Sequence, residues 1–169
     1  ICEGLVGSEM CIRDSFSHVV SAALKENVHL ETSSSFDIDL IRNLHKEGKI
    51  NKEIIIINNG YKTDQYLKKI ISLYDDGFKN ILVVLDNKPE LKRLLYLLKG
   101  TEKKLKIGVR MAINEEPQSS YYTSRLGIRH NEIINFYLSE IKENRNVILK
   151  MLHFFCLLYT SDAADELRS

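Results

Sequence analysis

The feature that most constrains the fold is a regular alternation of short apolar runs with longer amphipathic stretches. Apolar runs begin at residues 28, 54, 81, 107 and 148, and the first four are spaced about 26 residues apart. The runs at 54–57 and 81–85 are continuous and aliphatic, as is typical of parallel strands buried on both faces. Strand–helix units repeated at this interval predict a parallel sheet with right-handed crossovers.

The stretches between these runs predict four amphipathic helices. Their apolar stripes are Phe36, Leu40, Ile41 and Leu44; Tyr66, Leu67, Ile70, Ile71 and Tyr74; Leu91, Leu94, Leu95 and Leu98; and Ile133, Ile134, Tyr137 and Ile141. Ser35, with Asp37 and Asp39 behind it, suits the start of the first helix. Asn87 and Glu90 predict a capping box at the third helix, with Pro89 in its first turn. Gly48, Gly77 and Gly100 are expected to end the first three helices.

Periodicity leaves two closures open, a β/α barrel or an open doubly wound sheet. An open sheet often carries a glycine-rich phosphate loop after its first strand, and the sequence shows none. This favours the barrel. The predicted fold class is therefore α/β: a partial parallel β/α barrel of the TIM type with about five β/α units.

Charge and hydropathy limit the classes of partner. The chain has 24 basic and 23 acidic side chains, a net charge of +1, which gives no electrostatic reason to expect nucleic acid or a membrane surface. No apolar run approaches the ~20 residues that cross a bilayer, and no secretory signal pattern opens the sequence. We therefore expect a cytoplasmic protein that binds neither.

Both ends of the chain differ from the rest. Residues 156–166 read as a translation of a sequencing-library adapter, and residues 5–15 read as the second adapter arm in the opposite orientation. We therefore expect segments 1–15 and 156–169 to be adapter-like and non-native, and 16–155 to be an internal fragment of one barrel domain. All three cysteines, Cys2, Cys11 and Cys156, fall in these end segments, so cysteine spacing says nothing about the domain.

Working residues of either closure collect at the carboxyl ends of the strands. Five groups meet this condition: Glu31-Thr32-Ser33, the stretch 58–62, Asp86-Asn87, Arg110 and His153. Alternatives stay open for three of them, because Asn59-Gly60 suits a tight turn, Asp86-Asn87 suits a helix cap, and a histidine in an apolar strand is ordinarily a core residue. Glu31 and Arg110 are harder to explain structurally, since a charge inside an apolar strand is costly unless it is paired or faces a polar ligand.

Five segments in the same order resemble biosynthetic arginine decarboxylases. They are Leu30-Glu31-Thr32-Ser33-Ser34 (Leu-Glu-Ala-Gly-Ser in the family), Asn59-Gly60-Tyr61-Lys62 (Asn-Gly-Tyr-Lys), Ile107-Gly108-Val109-Arg110 (Leu-Gly-Val-Arg), Ser124-Arg125-Leu126-Gly127-Ile128 (Ser-Lys-Phe-Gly-Leu) and Leu152-His153-Phe154-Phe155 (Leu-His-Phe-His). The spacing is close over essentially all of 16–155. One such tetrapeptide would be weak, whereas five in register are fairly specific.

The resemblance implies an alanine-racemase-like barrel that binds pyridoxal phosphate, and decarboxylation of L-arginine to agmatine on the route to polyamines such as spermidine. It implies that Glu31, Arg110, His153 and Phe155 bind the cofactor, with Arg110 near the ring hydroxyl and the strand end 153–155 on the ring face. The lysine that links the cofactor is expected outside the fragment, so the fragment alone is expected to be inactive. The resemblance also implies a homodimeric or larger parent enzyme and allows for Mg²⁺ in it.

The sequence departs from the family at Phe155, where most members have histidine. A phenyl ring can stack on a cofactor but cannot carry charge, so the substrate is less firmly implied than the fold. Three alternatives to arginine decarboxylase remain: a decarboxylase of diaminopimelate or another basic amino acid, a barrel that carries pyridoxal phosphate without turnover, and an open-sheet binding domain.

Overall fold

The computed structural model describes residues 29–112 and 126–154, and all structural statements below refer to them. Six strands and four helices alternate along the chain. They are β1 (Leu30–Thr32), α1 (Ser35–Lys46), β2 (Ile56–Asn58), α2 (Asp64–Asp75), β3 (Ile81–Leu85), α3 (Lys88–Leu98), β4 (Leu105–Ala112), β5 (Ile128–Arg129), α4 (His130–Phe136, continued by a π-helical turn Tyr137–Ile141) and β6 (Val147–His153).

The strands form one parallel sheet in the order β1-β2-β3-β4-β6. The short β5 pairs only with the last two residues of β4, at the carboxyl end of the sheet. Helices follow β1, β2, β3 and β5, so successive strands lie side by side, as in a β/α barrel. The α/β class and the partial-barrel prediction are confirmed.

The hydrophobic core lies between the sheet and its helices. Every second strand residue, such as Ile81, Val83 and Leu85 of β3, packs against the buried face of the helices. The helices contribute a matching set of aliphatic side chains: Ile38, Ile41, Leu44, Leu67, Ile70, Leu73, Leu91, Leu94 and Leu98. We call this side of the sheet the outer face, and the side that the helices do not cover the inner face.

Part of the predicted helix stripes was wrong. Phe36 and Leu40 of α1 are exposed, and Ile38 is buried instead. In α4 Ile134 is exposed, and Phe136 takes its predicted place in the core. A stripe of apolar residues does not reveal which of its flanks faces the sheet, because the crossing angle of helix and sheet decides this.

The predicted helix ends need two corrections. The N-cap of α1 is Ser34 rather than Ser35, and the Asp37 carboxylate accepts the N–H of Ser34 (2.8 Å). Asn87 does cap α3 by accepting the N–H of Glu90 (3.0 Å), but the Glu90 side chain does not complete a capping box. Gly48, Gly77 and Gly100 follow the first three helices with positive φ, as predicted.

Strand bounds also differ from the prediction. β2 begins two residues later than the apolar run 54–57 and ends on Asn58, and β5 was not predicted. In β6 the pairing with β4 jumps from Ile107–Leu149 to Gly108–Met151. Lys150 is thus an extra residue, a β-bulge, and it changes which later residues of β6 lie on the inner face.

Candidate functional site

Polar side chains gather where β1 and β2 end. Glu31 lies on the inner face, and its carboxylate accepts a hydrogen bond from the Asn59 side-chain amide (2.9 Å). The Asn59 side chain also accepts the N–H of Gly60 (2.8 Å), which has a φ of 73°. Asn59 and Gly60 therefore do form the tight turn, and this turn also delivers a side chain to Glu31.

On the outer side of the same strand ends, Thr32 joins two buried polar groups. Its hydroxyl donates to the Asn58 side-chain oxygen (2.9 Å) and lies 2.7 Å from the Tyr66 hydroxyl. Burial raises the pKa of Tyr66, so the phenol stays neutral and can take part in this hydrogen bond. These bonds fix the ends of β1 and β2 against α2.

A fully buried ion pair links the turns after β2 and β3. Lys62 Nζ lies 3.8 Å from Glu90 Oε2, and neither side chain is exposed. Glu90 also accepts the backbone N–H of Lys62 (3.0 Å) and that of Asp86 (2.9 Å). Burial lowers the pKa of Lys62 and raises that of Glu90, while the opposite charge of the partner counters both shifts. Glu90 is thus a clamp between two strand ends and not half of a capping box.

Asp86 lies directly beyond β3 on the inner face. Its side chain is fully buried, and Arg110 Nη1 is 3.6 Å from Asp86 Oδ1. Within the part of the chain that the structure describes, neither carboxylate oxygen accepts a hydrogen bond. The prediction that Asp86-Asn87 serves the helix cap is right for Asn87 only, since Asp86 points at Arg110.

Arg110 and His153 are neighbours on β4 and β6. Burial lowers the pKa of His153 and the Arg110 charge lowers it further, whereas the charges of Glu31 and Asp86 act in the opposite direction. The imidazole is therefore near charges from β1, β3 and β4. The structure thus pairs Arg110 with His153 in the sheet and places Glu31 on the same inner face, at the carboxyl end of β1.

The fourth predicted cofactor-binding residue, Phe155, lies outside the described residues, as do segments 1–15 and 156–169, which were predicted to be non-native. Sequence reasoning underrated Asp86 and Lys62. The signal that could have found Asp86 is an ionisable residue directly after the buried aliphatic strand β3. No comparable local signal marks Lys62, which lies beyond the end of β2.

One comparison with known proteins gives a match. A solved structure of a mutant diaminopimelate decarboxylase from Helicobacter pylori, in complex with L-lysine, matches with a TM-score of 0.64 at 18% sequence identity. The match covers 82% of this chain and 34% of that one, so the chain spans about a third of the decarboxylase chain. No protein-family model and no curated protein sequence matches. The chain therefore has the fold of part of a β/α barrel.

Pyridoxal phosphate is an anionic aromatic group. Two side chains on the inner face could interact with its ring and its ring oxygen. The Arg110 guanidinium can donate hydrogen bonds to an anionic oxygen, and the neutral His153 imidazole can lie against a ring. Lys62 does not suit a covalent link, because its amine is fully buried beside Glu90 and donates to the Gly60 carbonyl. The described residues therefore fit the ring side of such a cofactor.

Residues 29–112 and 126–154 contain no group of three or more His, Cys, Asp or Glu side chains that could hold a metal ion. None of the helices in this part of the chain is long and apolar enough to cross a membrane. The described residues therefore add no support to the expectation of Mg²⁺.

Proposed function

We propose that this chain is part of a pyridoxal-phosphate-dependent decarboxylase of a basic amino acid, with L-arginine as the first candidate substrate. The observation that carries the proposal is that Glu31, Arg110 and His153 all lie on the inner face at the carboxyl ends of their strands, with Arg110 and His153 paired in the sheet. Parallel β/α barrels place their active sites at this end. The similarity of the fold to a diaminopimelate decarboxylase supports the same class.

When bound, pyridoxal phosphate would supply an electron sink for decarboxylation. The chain's own residues would bind and orient it. Arg110 would hold an anionic oxygen of the cofactor. His153, whose pKa is lowered by burial and by the Arg110 charge, would contact it as a neutral imidazole. Glu31, fixed by the Asn59 amide, places a negative charge beside them. Glu31, Arg110, His153 and Phe155 remain the proposed cofactor-binding residues.

A second candidate function is diaminopimelate decarboxylation. The observation that favours it is the structural match itself, because that barrel was solved with L-lysine bound. Arginine and diaminopimelate share the α-amino acid head, on which the cofactor acts, and differ at the distal end. A third candidate function is that of a barrel that carries pyridoxal phosphate without turnover. We further propose that the parent enzyme is a homo-oligomer in the cytoplasm.

The test uses the full-length protein with pyridoxal phosphate and carboxyl-labelled substrates. We expect a cofactor absorbance band and release of labelled carbon dioxide from arginine, with less release from diaminopimelate and lysine. Release from diaminopimelate alone would replace the first candidate with the second. A cofactor band without release from any amino acid would favour the carrier, and no band at all would overturn the proposal.

A further inference from the structure

The buried carboxylate of Asp86 has no role in the packing described so far. Its side chain is fully buried, and within the described residues no group donates a hydrogen bond to either oxygen. Burial of a charged carboxylate costs several kcal/mol unless nearby charges compensate it. An apolar residue after β3 would pack at lower cost, so stability alone does not account for an aspartate here.

The backbone of Asp86 is held on both sides. Its N–H donates to Glu90 Oε2 (2.9 Å), and its carbonyl accepts the N–H of Gly127 (2.9 Å). Glu90 is in turn paired with Lys62. Gly127 has a φ of 106°, and a Cβ at this position would lie 2.7 Å from the backbone nitrogen of Ala112. The turn before β5 therefore approaches the end of β4 as only glycine can.

These restraints fix the direction of the Asp86 side chain. It extends along the inner face toward β4, where Arg110 Nη1 lies 3.6 Å from its Oδ1. Asp86 does not cap α3, because Asn87 does so. Among the described residues, the Asp86 side chain forms its ion pair with Arg110. Arg110 also lies beside His153 in the sheet.

We propose that Asp86 is a positioning residue that holds the Arg110 guanidinium on the inner face, in the orientation in which Arg110 contacts an anionic ligand. The ligand identity rests on the proposed function, whereas the positioning does not. A guanidinium has five N–H donors in a rigid plane, so a carboxylate beside one of its nitrogens restricts the orientation of the whole group. The clamp of Lys62 and Glu90 serves this arrangement by fixing Asp86.

The first test requires no cofactor. In the full-length protein, nitrogen-edited NMR should show an Arg110 Nε–H signal that exchanges slowly with water, assigned by its loss in Arg110→Gln. Asp86→Asn keeps the shape of the side chain and removes its charge, and we expect the signal to broaden or vanish. Asp86→Ser is the second variant if the asparagine variant does not fold. The control is Asp76→Asn, which removes an exposed carboxylate paired with Arg42 (2.9 Å) and should leave the Arg110 signal unchanged.

The second test measures the affinity for pyridoxal phosphate by absorbance in a double-mutant cycle. Asp86→Asn should weaken binding about tenfold when Arg110 is present, within the range for residues of one charged network, and should have little effect in the Arg110→Gln background. Equal effects in both backgrounds, or an unchanged Arg110 signal in Asp86→Asn, would overturn the positioning role. If the signal is lost but no form of the protein binds the cofactor, the positioning role stands and the proposed function falls.

Discussion

The two faces of the sheet differ in what they bury. The outer face is a continuous aliphatic layer, in which Ile81, Val83 and Leu85 pack against the helices. The inner face carries ionisable side chains at its carboxyl end, of which Asp86 is fully buried. Apolar burial stabilises a fold without regard to direction, whereas buried charges stabilise only when their geometry is held.

Strand alternation separates the side chains that stabilise the fold from those that are placed for chemistry. Neighbouring residues of a strand point to opposite faces, so β4 serves the core with Ile107 and Val109 and the site with Arg110. The backbone that carries the charged residues must then be held in place. The Lys62–Glu90 pair does this, because Glu90 also accepts the backbone N–H groups of Lys62 and Asp86. If the two faces are independent, a core substitution should change the free energy of unfolding alone, and a site substitution should change the cofactor affinity alone.

The largest effect is expected where this support is broken. Lys62→Met leaves the Glu90 carboxylate buried without its cation, and we expect a loss of about 3–5 kcal/mol in the free energy of unfolding. Lys62→Met with Glu90→Gln should recover much of this loss, because no uncompensated charge remains. Denaturant titration measures both. The control Lys103→Met removes an exposed ion pair with Asp75 and should lower the free energy of unfolding by less than about 1 kcal/mol. If Lys62→Met lowered it by no more than this control, the Lys62–Glu90 clamp would be contradicted.

A core substitution on the outer side should affect stability alone. Leu94 of α3 is fully buried, and Leu94→Ala should lower the free energy of unfolding by about 2–5 kcal/mol through lost contacts and a residual cavity. Leu138→Ala is the matched control, since Leu138 is half exposed. Affinity for pyridoxal phosphate, measured well below the unfolding transition, should stay unchanged in both. A selective loss of affinity in Leu94→Ala would show that the two faces are coupled.

In contrast to Leu94→Ala, Arg110→Ala should lower the cofactor affinity and leave the fold intact. A hydrogen bond to a charged group contributes about 1.5–3 kcal/mol, so the affinity of the full-length protein for pyridoxal phosphate should fall about ten- to a hundredfold while the barrel stays folded. Circular dichroism checks the fold, and absorbance titration gives the affinity. Arg42→Ala, at an arginine on the outer surface of α1 that pairs with Asp76, should not change the affinity. Unchanged affinity and turnover in Arg110→Ala would remove Arg110 from the site.

The smallest effect concerns pH and His153. Burial and the Arg110 charge lower its pKa from the ordinary value of 6.5, so below that pH the unfolded chain binds a proton that the folded chain resists. The stability contribution is fully present above pH 6.5 and is lost as the pH falls below it. We expect the unfolding free energy of the native protein to drop more steeply below pH 6.5 than that of His153→Asn. Parallel curves for the two proteins would contradict the shift.

The sequence predicts those parts of the fold that depend on local pattern. The aliphatic run Ile81–Leu85 is the strand β3 without correction, and glycines mark the ends of three helices because few other residues adopt positive φ. The burial of Phe36 was predicted wrongly, because an apolar side chain on a helix flank is buried only if a neighbouring element covers it. The two-residue β5 has no local signal, and its position depends on the contact of Gly127 with Asp86.

The candidate site was predictable in its location and only partly in its members. Glu31, Arg110 and His153 stood out because charged or polar groups are unusual within apolar strands. Asp86 was underrated because either Asp86 or Asn87 could cap the next helix, and the sequence does not show which. In the structure Asn87 caps the helix and Asp86 faces Arg110 on the inner face. The burial of Lys62 depends on Glu90, which lies 28 residues away in sequence, and no local pattern reports such a pairing.

The bulge at Lys150 has a consequence for how this strand can vary between related proteins. In β6, Leu149 faces the helices while Met151 touches the inner-face position of Gly108, although strict alternation would put both on one side. Deletion of Lys150 would remove the bulge and leave His153 beside Arg110. A regular strand that kept Lys150 would instead pair Leu152 with Arg110 and turn His153 toward the helices. Loss of the bulge without a deletion would therefore exchange every later residue of the strand between site and core, although an alignment would show no gap.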